Sequence, residues 1–173
     1  HEQICFISIM HSNNEIGTVQ PIDQVVKIAG DIPVHTDAVQ SFGKVDFNFN
    51  ALGLTGATIS AHKVGGPLGV AALILKKGVN IEPVLHGGGQ ERDIRSGTFN
   101  APSIVSFAAA AKESVAQSNQ RSEIIRKLKA ELISTIKKGV PDIWVNGDTE
   151  KSLPGIISIT FPKTDSEGLL LLL

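Results

Sequence analysis

Between Ala57 and Leu75 the chain offers two short apolar runs separated by a segment that cannot be helical, a combination few folds satisfy. Ala57-Thr58-Ile59-Ser60 is small and partly β-branched, as a covered strand must be, and Val70-Ala71-Ala72-Leu73-Ile74-Leu75 is a second strand candidate. The intervening Val64-Gly65-Gly66-Pro67-Leu68-Gly69 combines permissive glycines with a proline that has no backbone donor. Lys63, in Ser60-Ala61-His62-Lys63, is therefore expected on a turn at a strand end. Its stem would be held by a sheet and its amine directed at that edge, which is where open α/β sheets place their sites. Such an amine is suited to carbonyl chemistry.

The rest of the chain reads as mixed α/β. Residues 3 to 10 form a covered strand in which Cys5 is expected to be a buried small hydrophobe. Pro21 to Ala29 reads as a short helix with Pro in its first turn, apolar Ile22, Val25, Val26 and Ile28, and Gly30 past its end. Pro33-Val34-His35-Thr36-Asp37 is a strand with its acid at the C-terminal edge. The stretch His86 to Phe99, with Gly87-Gly88-Gly89, Arg92, Asp93 and Arg95, is too long, polar and glycine-rich for a passive connector and is read as functional.

Architecture shifts near residue 100. Asn100 is a good N-cap with Pro102 behind it, and a helical stretch follows to about Lys138, interrupted near Gln117-Ser118-Asn119-Gln120. Ile124, Leu128, Leu132 and Ile136, widened by Ile125 and Ile133, make an apolar stripe expected to pack on a sheet built from Ile143-Trp144-Val145 and Ile156 to Phe161. A last helix starts near Asp165. Residues 1–100 thus read as a strand-rich, glycine-rich unit holding the candidate site, and 101–173 as a long helix leading into an α+β unit. The opening at His1 and the uncapped Leu169-Leu170-Leu171-Leu172-Leu173 predict that the 173 residues are part of a longer protein in which the leucine run and the long helix are core.

Composition narrows the function classes. Hydrophobic residues make up 42% and charged residues 19%, an ordinary globular balance. A net charge of -1 from 16 basic and 17 acidic residues leaves no basic patch for nucleic acid or an anionic membrane. No apolar run approaches the roughly 20 residues a membrane helix needs. One cysteine excludes an internal disulfide and fits a reducing, cytoplasmic setting. His11, His35 and His86 lack the spacing of a metal site, so no metal is expected and satisfied structural histidines are the better reading.

A lysine that captures an aldehyde cofactor needs an acid facing a pyridine nitrogen, donors for a phosphate, and a polar neighbour for a phenolic oxygen. Asp37 could be the acid, Ser60 and His62 could hold phosphate, and Gln40 and Asn14 could face the phenolic oxygen. Ser60 and His62, two apart in extended backbone, would point to one side while Lys63 points elsewhere. The plain alternatives are a solvated turn lysine at 63, helix caps at Asp37 and Gln40, and turn-forming asparagines at 13 and 14.

His11-Ser12-Asn13-Asn14-Glu15-Ile16-Gly17-Thr18-Val19-Gln20-Pro21, His35-Thr36-Asp37-Ala38-Val39-Gln40-Ser41, Ser60-Ala61-His62-Lys63 and His86-Gly87-Gly88-Gly89-Gln90-Glu91-Arg92-Asp93-Ile94-Arg95-Ser96-Gly97-Thr98 occur in that order. Together they resemble the NifS/IscS-like cysteine desulfurases of the class V, fold-type I aminotransferase superfamily. The resemblance implies an α/β chain: part of a PLP-dependent transferase large domain, with a mixed, mostly parallel sheet and helices, over 1–100, then the start of an α+β C-terminal small domain over 101–173. It implies pyridoxal 5'-phosphate as cofactor, with Lys63 forming the internal aldimine and shuttling protons on the substrate α-carbon. Asp37 would pair with the pyridinium nitrogen, Gln40 and Asn14 would bond around the phenolic oxygen, and Ser60 and His62 would bind phosphate. Thr98 would reach the phosphate of a partner subunit, which implies a homodimer. The implied reaction takes L-cysteine to L-alanine, with sulfur passed through an enzyme persulfide to an acceptor or iron–sulfur scaffold protein.

In that family the sulfur-accepting cysteine and the carboxylate-binding arginine lie downstream of the last residue here, and a ring-stacking histidine and a phosphate-gripping turn lie upstream of the first. Cys5 is not expected to carry the persulfide, and the fragment alone is expected to be inactive. Where many relatives have an aromatic residue and a second lysine after the cofactor lysine, this chain has Gly65-Gly66-Pro67-Leu68. Other readings are a selenocysteine lyase or desulfurase-like member of the same superfamily, and a non-catalytic fragment. A dinucleotide-binding domain fares worse, because neither its glycine fingerprint nor the phosphate-loop signature occurs.

Overall fold

The computed structural model describes residues 4–173. A four-stranded sheet runs in spatial order β1 (Ile7–Met10), β2 (Val34–Asp37), β3 (Gly56–Ser60) and β4 (Ala71–Leu75). β1 with β2 and β2 with β3 are parallel, whereas β4 turns back antiparallel to β3. This is the mixed, mostly parallel sheet expected from the sequence. Parallel neighbours need crossover connections. The first carries α1 (Ile22–Ala29), which ends where Gly30, at φ 60°, donates its N–H to the carbonyl of Val26. Ile22 and Ala29 of α1 are buried with Val34, Leu54 and Ala57, forming one core cluster.

A second cluster, Ala38, Ile59, Ala61, Val64 and Phe107, seats α2 (Ala101–Ala116) over the far end of β3. Asn100 caps α2 by accepting the Ser103 N–H, and Gln117 separates it from α3 (Ser118–Gly139). Beyond α3, β5 (Trp144–Val145) and β6 (Ile159–Thr160) form a two-stranded antiparallel sheet, followed by α4 (Ser166–Leu172), capped by Asp165. No helix among the described residues is long and apolar enough to cross a membrane.

Two expectations are corrected. Cys5 is exposed and precedes β1, because the strand begins at Ile7 and is an edge of the sheet, with β2 on one side only. The rest of that reading, at Gln3, lies outside the described residues. The α3 stripe is not covered by the expected sheet: Ile124, Leu128 and Leu132 are 52%, 60% and 49% exposed. A helix of 22 residues is about 33 Å long, whereas strands of two residues span about 7 Å, so the small sheet cannot cover it. Leu170 to Leu173 are exposed in the described chain, and their expected core role belongs to a longer protein.

The two halves are tied by backbone. Leu153 N–H donates to Gly17 O at 2.8 Å, Val19 N–H to Lys151 O at 2.9 Å, and Thr18 bridges Ser152. In addition, Ser114 Oγ donates to Gly43 O at 3.2 Å and Ser122 Oγ to Lys44 O at 2.7 Å. Gly43 is required for that approach. Its φ is +69°, and an added Cβ would overlap Ser114 Oγ and lie 2.9 Å from Ser114 Cβ. Gly30, at a similar φ, has open space around it. Gly43→Ala is therefore expected to cost about 2–5 kcal/mol, against about 1–2 kcal/mol for Gly30→Ala. Urea denaturation of the full-length variants measures both, and equal losses would show that the Gly43–Ser114 approach does not matter.

Candidate functional site

Registry decides where the polar residues collect. Met10 lies beside Asp37, and Asp37 beside Thr58, so β1, β2 and β3 reach the same edge of the sheet in parallel. Asn14 follows β1, Asp37 ends β2 with Gln40 just beyond, and Ser60 ends β3 with His62 and Lys63 after it. Six of the seven sequence-predicted residues thus leave the sheet at one edge, the carboxyl ends of three parallel strands.

Each is held for a local reason. Lys63 closes a single 3-10 turn, Ala61–Lys63, and is exposed, while its neighbours Ala61 and Val64 are buried against Phe107. The Val64 and Gly66 N–H groups both donate to Ala61 O, and a Cβ at Gly66 would sit 2.9 Å from that of Ala61. The turn therefore needs glycine at 66. Ser60 Oγ and His62 Nδ1 are 2.8 Å apart. They do lie together, yet the extended spacing expected from the sequence does not bring this about, since the backbone has already entered the 3-10 turn at Ala61.

Asp37 is exposed, and its Oδ1 accepts the Val39 N–H at 2.9 Å, which leaves its other oxygen free of partners among the described residues. The adjacent asparagines divide their work. Asn13 Oδ1 accepts the N–H groups of Glu15 and Ile16, each at 2.8 Å, and so makes the turn. Asn14 is exposed, with no side-chain partner among the described residues.

Gln40 and Lys63 line a cleft of about 370 Å3, closed on its other sides by Lys44, Arg121, Leu153 and Ile156. The sequence reading missed Lys44. Its Nζ donates to Gln40 Oε1 at 3.2 Å, and burial, reinforced by the nearby Lys63 charge, holds its amine below the usual lysine range. A four-residue spacing from Gln40 was visible in the sequence, but its meaning depends on how the turns over 38–45 fold Lys44 back onto Gln40, which only the structure reveals.

Thr98 is exposed between the Leu85–Arg95 bridge and Asn100, and neither a hydrogen bond nor the cleft links it to Lys63. The loop before it is built, not slack. Glu91, Arg92 and Asp93 are consecutive left-handed residues, Asp93 N–H donates to Gly89 O, and Gly97 N–H donates to Gln90 Oε1 at 2.8 Å.

Among the histidines, His35 is satisfied: its Nδ1 is 2.9 Å from Ser8 Oγ and its Nε2 2.8 Å from Thr58 Oγ1, joining β1, β2 and β3. His11 departs from the expectation, for its buried Nδ1 has no partner among the described residues. No cluster of three potential metal ligands occurs among them either.

The donor set fits an aromatic aldehyde that carries a ring nitrogen and a phosphate. It supplies an exposed amine with no carboxylate partner among the described residues, a carboxylate with one oxygen free, a hydroxyl–imidazole pair, and two carboxamides.

The family model described as "Aminotransferase class-V" matches residues 1–173. Cysteine desulfurase IscS of Dictyoglomus turgidum is 41% identical over 167 residues, covering 95% of this chain and 42% of that protein. The IscS-like cysteine desulfurase of Mycobacterium tuberculosis is 39% identical over 176 residues, covering 100% of this chain and 45% of its own length. A solved NifS-like protein from Rickettsia africae superposes with a TM-score of 0.89 at 38% identity, over 95% of this chain and 46% of that one. The chain thus spans less than half the length of these relatives.

Burial holds the pKa of His35 below its ordinary value, with the Asp37 charge opposing. The unfolded imidazole takes up a proton near pH 6.5. As pH falls through that value towards the folded pKa, the unfolded state binds more protons and stability declines. The thermal midpoint is expected to fall between pH 7 and 5.5, and to fall less in His35→Gln. Thermal scans of both proteins across that range test this, and identical slopes would refute it.

Proposed function

Because this chain belongs to the class-V aminotransferase family, we propose that it is part of a pyridoxal-phosphate-dependent cysteine desulfurase that converts L-cysteine to L-alanine. One observation carries the reading: the aldehyde-capturing amine, the free carboxylate oxygen and the phosphate donors share one edge of a parallel sheet, in a chain whose relatives are named cysteine desulfurases. Residues 1–100 are read as part of the cofactor-binding large domain and 101–173 as the linking helix and part of the small domain.

When bound, pyridoxal phosphate supplies an aldehyde and an electron-withdrawing ring. Lys63 is the amine that captures the aldehyde and moves the proton at the substrate α-carbon. Its exposure and the rigid turn beneath it, pinned by Ala61 and Gly66, allow one amine to serve both steps. Asp37 offers its unpaired oxygen to the ring N–H, while the Val39 N–H on the other oxygen helps to keep the carboxylate oriented. Ser60 and His62 donate to phosphate, and their mutual hydrogen bond limits how far either can swing. Asn14 and Gln40 face the phenolic oxygen. Thr98 belongs to the phosphate site of a second copy, so the working enzyme is a homodimer.

In the overall reaction the Cβ–Sγ bond of cysteine breaks and its electron pair stays on carbon, which gains a proton. Sγ becomes the outer sulfur of an enzyme persulfide. That sulfur is then delivered to an acceptor protein for iron–sulfur cluster or thio-cofactor assembly.

Borohydride treatment of the full-length, cofactor-loaded protein is expected to fix the chromophore onto the peptide containing Lys63. Recovery on another lysine, or no fixation, would defeat the assignment. Asp37→Ala is expected to lower sulfide release from cysteine by on the order of 100-fold, because the ring then loses its charge partner. An Asp37→Ala enzyme as fast as wild type would remove Asp37 from this role.

A further inference from the structure

We propose that Lys44 is a positioning residue: by donating to Gln40 Oε1 it fixes the Gln40 carboxamide in one of its two flipped orientations and keeps the amide NH2 available to donate into the cleft. The inference rests on the cofactor reading above, in which Gln40 faces the phenolic oxygen.

Phe42 N–H donates to Ala38 O at 2.9 Å and Val45 N–H to Ser41 O at 3.1 Å, so residues 38–45 form two linked turns, between which Gly43 is left-handed at φ +69°. These turns fold Lys44 back onto Gln40, and its Nζ donates to Gln40 Oε1 at 3.2 Å. The second turn is then clamped by α2 and α3. Ser114 Oγ holds Gly43 O, Ser122 Oγ holds Lys44 O, and Arg121 Nη2 in turn donates to Ser114 O at 2.7 Å and to Ser114 Oγ at 3.1 Å. The Lys44 backbone is therefore fixed by α2 and α3 while its amine reaches Gln40.

Side-chain chemistry settles the direction. A carboxamide has an accepting oxygen and a donating NH2 that can exchange places by a half-turn, whereas an ammonium group only donates. With Lys44 within bonding distance, the flipped amide would set donor against donor, so the oxygen must face Lys44 and the NH2 must face elsewhere. Gln40 Nε2 has no partner among the described residues, and Gln40 lines the cleft beside Lys63.

Lys44 is also oddly housed for a passive surface lysine. It is partly buried, has no carboxylate partner among the described residues, and sits close enough to Lys63 to feel its charge. Removing a cation from water without an opposite charge is unfavourable unless its hydrogen bonds compensate. The Gln40 carbonyl is the acceptor provided.

The test reads the pH midpoint of the visible chromophore in the full-length, cofactor-loaded protein. A donor to the phenolic oxygen favours the deprotonated chromophore, so losing it raises the midpoint. Gln40→Leu is expected to raise it by on the order of one pH unit, the size that one hydrogen bond to a charged group produces. Lys44→Met is expected to raise it in the same direction.

Loss of the Lys44 charge could raise the midpoint by itself, and the double variant separates the two effects. If Lys44 acts through Gln40, Gln40→Leu/Lys44→Met shifts no further than Gln40→Leu. Shifts that add overturn the proposal, as does a Lys44→Met midpoint equal to wild type. Should Lys44→Met fail to fold, Lys44→Gln takes its place in the same cycle and is judged by the same outcomes. A wild-type protein with no chromophore on Lys63 overturns the cofactor reading and this inference with it, whereas a normal chromophore with additive shifts overturns the inference alone.

Discussion

Parallel pairing that sets Met10 beside Asp37 and Asp37 beside Thr58 makes three chain segments leave the sheet at one edge, and the rest of the molecule is arranged around that edge. A shift of one residue between β2 and β3 would exchange the faces of every side chain on the strand, sending Thr36 and Val34 out of the core. Both are buried, at 0% and 2% exposure, so the core resists such a slip. The ladder Ser8–His35–Thr58 reinforces the register from the opposite face of the same three strands. Hydrophobic burial and hydrogen bonding therefore favour a single alignment, and that alignment gathers the polar strand ends.

Strand ends alone would leave flexible residues at a common edge. Rigidity comes from the second layer. Phe107 of α2 packs on Ala61 and Val64 on either side of Lys63, and the serine contacts from Ser114 and Ser122 hold the Gly43–Lys44 backbone. The helical region after residue 100 carries none of the proposed cofactor-contacting groups, yet it supplies the clamps that determine where two of the site's lysines sit. Farther along the chain, Lys151, Ser152 and Leu153 tie to Gly17–Val19, in the loop that bears Asn14.

The elements themselves were largely legible. α1 ends at Gly30, α2 starts after Asn100, the helical stretch breaks at Gln117, and β3 and β4 flank a glycine-rich turn, because each feature is written in local backbone chemistry. Local chemistry failed where burial depends on distant partners. Cys5 looks like a core residue by type and proves exposed, and the α3 stripe outreaches the two-residue strands meant to cover it. Hydrophobicity specifies that a surface prefers cover, without specifying which surface covers it.

The same division runs through the site. By itself the sequence determined that Lys63 sits on a turn after a strand, that Asp37 ends another strand, and that Ser60 and His62 accompany the lysine, since glycine, proline and β-branched residues act within a few positions of themselves. Only the tertiary structure decided that these ends share an edge, that Asn13 makes the turn while Asn14 stays free, and that Lys44 faces Gln40 within reach of Lys63. The physical reason is range: backbone preferences are settled locally, whereas the orientation of a carboxamide or the company of an amine depends on register and packing between segments far apart in the chain.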